Sequence, residues 1–251
     1  MKSATKTAIT ALLLCAVPSF ADIDADRNPL PANDGFVSAF YGTSYVSGRA
    51  GIMGGSFKPE AISALKLDTM GSIGAAIGYH PAPNLRLEVE FAGAAGDVKE
   101  KTNGMNELET ILDVYLLENF GTFSKDIKGE ASVLSVSAQA YYLVEVSPNL
   151  NLTLNGGIGA MKGELEFNYD VLRATRYSGG VLYGNYLYNT SEKYSATFLF
   201  ASVGCGLEWK IDDSISIGAS ARYFLSQEKD MDGVKAKPDL YNFNVGITFF
   251  F

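Results

Sequence analysis

The chain has 251 residues and a formal charge of −8, with 20 Lys and Arg against 28 Asp and Glu. That acidic balance excludes a nucleic-acid binder, which needs clustered cations to neutralise phosphates. The 26 Gly, 14 Tyr and 15 Phe are an odd mix for a soluble domain but suit close-packed strands with aromatic rings at membrane interfaces.

Residues 1–21 read as a secretory signal. Lys2 and Lys6 precede an apolar run from Ala8 to Val17, Pro18 breaks it, and Ser19-Phe20-Ala21 presents small residues at −3 and −1. The run is shorter than the ~20 residues of a membrane-spanning helix. Lipidation at Cys15 calls for Gly, Ala or Ser just before it, and Leu14 stands there. Cleavage after Ala21 removes two lysines, taking the formal charge from −8 to −10, and leaves Cys205 as the single cysteine. No intramolecular disulfide is then expected, even in an oxidising compartment. Residues 22–43, acidic at first and carrying Pro29 and Pro31, read as a periplasmic lead-in, and 44–251 as one domain.

From there the chain alternates with period two, which sends successive side chains to opposite faces of a strand. The weakest strand is the first, at 45–57, where Val46, Ala50 and Ile52 share a face. At 71–79, Ile73, Ala75, Ile77 and Tyr79 do the same. Leu85, Leu87, Val89 and Phe91 then oppose Arg86, Glu88 and Glu90. Leu134, Val136, Ala138, Ala140 and Tyr142 oppose Ser135, Ser137, Gln139 and Tyr141. Leu150, Leu152 and Leu154 oppose Asn151, Thr153 and Asn155, and the pattern passes through a Gly-rich stretch to Ala160. Val203, Cys205, Leu207 and Trp209 oppose Ser202, Gly204, Gly206 and Glu208, and Ile215, Ile217, Ala219, Ala221 and Tyr223 oppose Ser216, Gly218, Ser220 and Arg222. The last strand, 241–251, puts bulky apolar residues at odd positions and stops on Phe251. As the edge of a soluble sandwich, a terminus ending Phe-Phe-Phe invites aggregation.

Arg49, Arg86, Glu88, Glu90, Glu208 and Arg222 all fall on the polar parity of their strands. A soluble sandwich would distribute them the same way, so the connections decide. Short turns at 80–84, 145–149 and 211–214 alternate strictly with long segments at 58–70, 97–130, 162–195 and 226–238. Periplasmic turns and extracellular loops follow that rule, and a sandwich has no reason to. The expected fold is all-β: a closed antiparallel transmembrane β-barrel of eight strands, or ten if the segment 162–195 adds a hairpin within the membrane. Its expected partners are outer-membrane lipid and, through the last strand and Phe251, the barrel-assembly machinery.

Gly74-Ala75-Ala76-Ile77-Gly78-Tyr79, followed by Leu85-Arg86-Leu87-Glu88-Val89-Glu90-Phe91 and Asp97-Val98-Lys99, resembles the second hairpin of the rickettsial major surface antigens of Anaplasma, Ehrlichia and Wolbachia type. Tyr45-Val46-Ser47-Gly48 is similar to their opening strand, and Leu154-Asn155-Gly156-Gly157-Ile158-Gly159-Ala160 to their Gly-rich fifth strand. The resemblance covers strands and not loops. It implies a surface-exposed antigen, adhesive in role, and for some members a pore.

Little in the chain suggests catalysis, and no cofactor or metal is expected. The single histidine, His80, sits beside Pro81 at a short turn, where solvation is the plain expectation. Cys205 lies on the apolar parity and is better explained by packing. Tyr79, Trp209 and Tyr223 read as interface anchors. The six charged residues either line a selective pore or pair with one another as a plug, since an eight-strand interior is just wide enough for side chains to fill. Near balance of sign favours the plug. In the second long segment, 105–120 has Leu108, Ile111, Leu112 and Tyr115 at helical spacing, which packs on neighbouring loops or faces a partner. Leu112 and Tyr115, with Tyr183, Tyr186 and Tyr188 of the third segment, are the candidate contacts to a host surface ligand. A small diffusion porin is the alternative function.

Overall fold

The computed structural model describes residues 42–60, 65–99, 103–120, 122–176 and 182–251. The signal sequence and the lead-in up to residue 41 lie outside these, as does Tyr177.

Among the described residues nine strands run in chain order: β1 (Ser44–Pro59), β2 (Leu65–Ala82), β3 (Leu85–Asp97), β4 (Thr122–Ser147), β5 (Leu150–Arg176), β6 (Leu182–Lys210), β7 (Ile215–Ser226), β8 (Lys229–Met231) and β9 (Val234–Phe250). One helix, α1 (Asn103–Phe120), precedes β4. Each strand from β1 to β6 pairs antiparallel with the next, β7 pairs with β9, and β9 returns to β1, so eight strands close a ring. The closing seam runs without a register shift from Tyr45↔Phe250 to Pro59↔Ala236. Phe251 extends it, donating its N–H to the Ser44 carbonyl at 2.9 Å and accepting from the Ser44 N–H at 3.0 Å. β8 pairs only with β9, through an Asp232-Gly233 turn whose φ values of 52° and 93° match the left-handed two-residue hairpin turn that Asp-Gly favours. It is the return arm of a hairpin and not a ninth stave.

Closure removes every edge within the membrane, which lipid requires because it offers no hydrogen bonds to bare backbone. The outward side chains show where that membrane lies. On β9, Phe249, Ile247, Val245, Phe243 and Tyr241 face out, followed by Asp239, Lys237 and Lys235. Residues 241–249 cover roughly 27 Å of strand, or about 20 Å of height at a ~40° tilt. On β5 the outward set changes from Leu154, Ile158 and Ala160 to Lys162, Glu164 and Glu166 at the same level.

The inward face changes in the opposite sense. Within the belt it carries Ser47, Arg49, Glu88, Glu90, Gln139, Asn155 and Arg222. Above the belt Phe57, Leu65, Leu165, Phe167, Phe198 and Leu240 turn inward and form one buried cluster. The alternation keeps its period of two and inverts its phase where lipid gives way to water.

That inversion corrects the four long segments. The second, 97–130, is mostly α1 followed by the start of β4, and the described residues of the other three are largely strand: β5 is 27 residues and β6 29, far beyond the 9–11 that a span needs. The segment 162–195 is no extra hairpin in the membrane but the upper halves of β5 and β6, paired up to Arg176↔Leu182. Likewise β1 and β2 pair through Phe57↔Leu65, and the β8–β9 hairpin fills most of 226–238. The first short turn is tighter than the sequence suggests, since β2 runs on to Ala82. His80 is not solvated. It is 2% exposed, its ring 5.7 Å from that of Tyr45 and 5.8 Å from that of Phe250.

The helix also departs from its expected face. Its buried stripe is Met105, Leu108, Leu112 and Leu116, packed on Ile127, Tyr169 and Val171 and into the upper cluster. Ile111 and Tyr115, placed on the stripe by spacing, are about half exposed. Asp113 fixes the helix to the start of β4, accepting from the N–H of Ser124 at 2.7 Å and from its hydroxyl at 2.6 Å.

Two substitutions test the boundary. Val245 is 63% exposed at the centre of the belt, so Val245→Arg should lower unfolding free energy in phospholipid vesicles by about 2–4 kcal/mol. Glu130, outward above the belt, is directly opposite Asp97 and Glu166, so Glu130→Arg should leave stability unchanged or raise it by up to ~1 kcal/mol. Urea titration followed by Trp209 fluorescence measures both.

Candidate functional site

The interior at belt level is built from alternate residues of facing strands. Arg49 on β1 donates to both carboxylate oxygens of Glu88 at 2.7 Å and also contacts Glu90. Arg222 on β7 forms a two-pronged pair with Glu90 at 2.7 and 2.8 Å and donates to the Tyr141 hydroxyl at 2.6 Å. Tyr141 donates to Glu88 at 2.7 Å, and Tyr45 donates to the same carboxylate at 3.0 Å. Arg86 holds Glu208 at 2.8 Å, and that carboxylate also accepts from the Ser216 hydroxyl at 2.5 Å. The Arg86 guanidinium lies 4.5 Å from the Tyr141 ring centre and 5.2 Å from that of Tyr45.

All six charged residues singled out from sequence are therefore in one connected lattice, three arginines against three glutamates. Burial makes an unpaired charge prohibitive, and pairing with hydrogen bonds to the remaining lone pairs makes it tolerable. Tyr45, Tyr141 and Ser216 complete the lattice; parity places Tyr141 and Ser216 on the inward face, and Tyr45 has no such signal in the weakly patterned first strand. The signal missed in sequence was that an inward Tyr hydroxyl can bridge a carboxylate and a guanidinium, as Tyr141 does between Glu88 and Arg222.

Layers stack on either side of the lattice. Toward the short turns, Tyr45, His80 and Phe250 fill the mouth. A cavity of about 40 Å³ lies among Ser47, Arg49, Arg86, Tyr141 and Glu208, enough for about three or four waters at roughly 10–15 Å³ each. Toward the extended end come Gln139, bonded to Ser137 and Ser202 at 3.0 Å, and then the apolar cluster.

The interface candidates divide by level. Tyr79 and Trp209 face outward near the short turns, and Tyr223 faces outward at the upper edge of the belt, bonded to Asp239. Cys205 is also outward, in an apolar groove with Ala219, Ala221 and Phe243.

Above the membrane, β4, β5 and β6 continue as a three-stranded sheet with α1 against β4. Tyr169 and Tyr194 donate to the two oxygens of Glu192 at 2.9 and 2.7 Å, and Tyr194 meets Phe167 edge to face. Hydrogen bonds from Lys162 and Lys193 hold the Glu164 carboxyl below its usual range. Tyr186 and Tyr188 are 60% and 55% exposed on upper β6, while Tyr183 lies in the strand opposite Thr175. Leu112 is packed inward, apart from these tyrosines. Among the described residues no group of three His, Cys, Asp or Glu is arranged to hold a metal ion.

The lattice makes a stability prediction. Glu208→Ala leaves Arg86 buried without its carboxylate and should cost about 3–5 kcal/mol, while the double change Arg86→Met, Glu208→Leu should recover most of that loss. Equilibrium unfolding of the two variants in vesicles checks it.

Solved structures of similar fold include the attachment invasion locus protein Ail of Yersinia pestis, 18% identical with a TM-score of 0.44, covering 84% of this chain and 99% of that one. Neisserial surface protein A is 14% identical with a TM-score of 0.48, covering 82% and 96%. The outer membrane protease OmpT of Escherichia coli is 8% identical with a TM-score of 0.48, covering 83% and 97%. No curated protein sequence matches the chain. A family model, the outer membrane protein beta-barrel domain, matches residues 7–251, and the chain belongs to that family, residing in the cell outer membrane with its long connections at the surface.

Proposed function

We propose that this is a surface antigen whose outer extension binds a macromolecule outside the cell, and whose barrel passes no solute. The observation that carries this reading is the filled interior. An aromatic layer, a neutral ion lattice and an apolar cluster succeed one another along the barrel axis, which is the arrangement of a plug and not of a pore wall. With the lumen closed, the large exposed surface of α1 and upper β4–β6 is left as the place for specific activity. The six lattice residues are then structural, Tyr79, Trp209 and Tyr223 anchor the belt, and Tyr115, Tyr183, Tyr186 and Tyr188 are the contact candidates, with Leu112 supporting them from below.

On the same reading, residues 1–21 are removed on export, 22–43 lead in from the periplasm, and Phe251 marks the last strand for the barrel-assembly machinery. The strand resemblances at 45–48, 74–99 and 154–160 support placement with the rickettsial major surface antigens. Catalysis has no part in the proposal, because the single histidine is enclosed at the periplasmic end.

Two measurements test it together. Refolded protein in a planar bilayer should be silent, and protease added to intact cells should cut at the outer extension. Discrete, reproducible channel openings would favour the diffusion porin instead, with Arg49, Arg86, Glu88, Glu90, Glu208 and Arg222 as its lining.

A further inference from the structure

Closure of the barrel ends at the membrane, and one strand leaves it with a bare side. β7 pairs with β6 only as far as Phe200↔Ser226, with one further bond from the Gln227 N–H to the Leu199 carbonyl at 3.1 Å. Beyond that, β6 runs on to Leu182 paired with β5 alone. In an antiparallel ladder both backbone groups of a residue point to one side, and alternate residues point to opposite sides. The Leu199 carbonyl faces β7, and the Ser195 N–H faces Asp232, which accepts it at 2.8 Å. Residues of that parity, Asn189, Ser191 and Lys193, therefore present their N–H and C=O groups to the open side. No strand among the described residues covers them.

An edge of this kind is a template for another chain, and proteins usually blunt it with proline, a short run or a covering element. The run from Asn185 to Thr197 contains no proline and is mostly exposed. The Asp232 contact covers the level of Ser195 and leaves the stretch above it open.

We propose that the open edge of β6 at Asn189, Ser191 and Lys193 binds an extended, basic polypeptide segment by strand addition. This deepens the surface-binding reading above and rests on it. Donors and acceptors repeating every ~6.8 Å match another extended backbone and no compact ligand. Asp170, Glu192, Asp230 and Asp232 outnumber Lys193 and Lys229 around the edge, which sets the sign of the partner's charge. Tyr186 and Tyr188, exposed just above, supply aromatic contact at its end. A second copy fits poorly. Two copies upright in one membrane are related about the membrane normal, so edges tilted ~40° would cross at about 80° instead of lying side by side. Both copies would also bring the same acidic surround.

The test uses the mature protein in phospholipid nanodiscs and a ten-residue peptide alternating Lys and Val. The same peptide N-methylated at two adjacent central residues, which blocks both of its edges, is the control. Fluorescence anisotropy should show binding that weakens at least tenfold with the methylated peptide, and that weakens further with added salt. Ser191→Pro removes an edge N–H without touching the β5 ladder and should also weaken binding at least tenfold. Heat-modifiable gel mobility verifies that this variant is folded. Amide exchange at Asn189, Ser191 and Lys193 should slow at least tenfold on binding. Equal affinity for both peptides, unchanged exchange at the edge, or no binding of either peptide would overturn strand addition. Cells that hold an external ligand equally well with and without Ser191→Pro would overturn the edge site while leaving the surface-binding function standing. Cells that hold none would contradict that function itself.

Discussion

A strand that leaves a membrane must exchange its greasy face for a wet one. In this barrel the exchange happens without interrupting the strand. Outward positions pass from Leu, Ile and Val to Lys and Glu, and at the same height inward positions pass from Ser, Asn and Arg to Leu and Phe. Each half buries apolar surface, but in the belt it is buried in lipid and above the belt in the protein's own interior. The upper half is thus a water-exposed sheet, open beside β6, with a conventional core, growing directly from a lower half turned inside out. The lengths of β4, β5 and β6, the position of α1 and the open edge of β6 all depend on that upper core, which is what holds such long strands upright in water.

The lower half needs a different solution. Its interior is too narrow to hydrate fully and too polar to collapse, so its groups must satisfy one another. The three arginines and three glutamates do so across β1, β3, β6 and β7, with Tyr45 and Tyr141 donating to Glu88 between them. Glycines make room for this. A Cβ at Gly78 would lie 2.2 Å from the Tyr45 ring, so the ring can cross the lumen only because that position is bare. The polar lattice fills the lumen, and the part above the membrane is the surface to which the proposed function assigns binding.

Much of this was legible in the sequence where the medium was constant. Period-two runs gave all eight strands, and charge parity gave the lattice residues, because lipid penalises an outward Arg as strongly as the lumen accepts it. Legibility failed where the medium changed. At 161–176 the alternation persists as Met161, Leu165, Phe167, Tyr169 and Val171, yet on the opposite parity from Leu150, Leu152 and Leu154. Read with one fixed phase, it looks like the end of a strand. The helix is where the spacing puts it, and only its buried face differs, for a related reason: Ile111 and Tyr115 share spacing with Leu108 and Leu112, and only the position of Tyr169 and Val171 beneath the helix decides that Met105 and Leu116 complete the buried stripe. His80 beside Pro81 carried no hint of the two rings that enclose it, since Tyr45 and Phe250 are brought there by closure of the seam.

The phase inversion itself is open to direct measurement by a cysteine scan along β5 in a Cys205→Ser background, labelled on intact cells with a membrane-impermeant maleimide. Cysteines replacing Lys162, Glu164 and Glu166 should react, while those replacing Ile158 in the belt and Leu165 and Phe167 in the upper core should stay protected. Reaction at Leu165 and Phe167 as fast as at Glu164 and Glu166 would mean that no apolar core stands above the membrane, and would contradict the account.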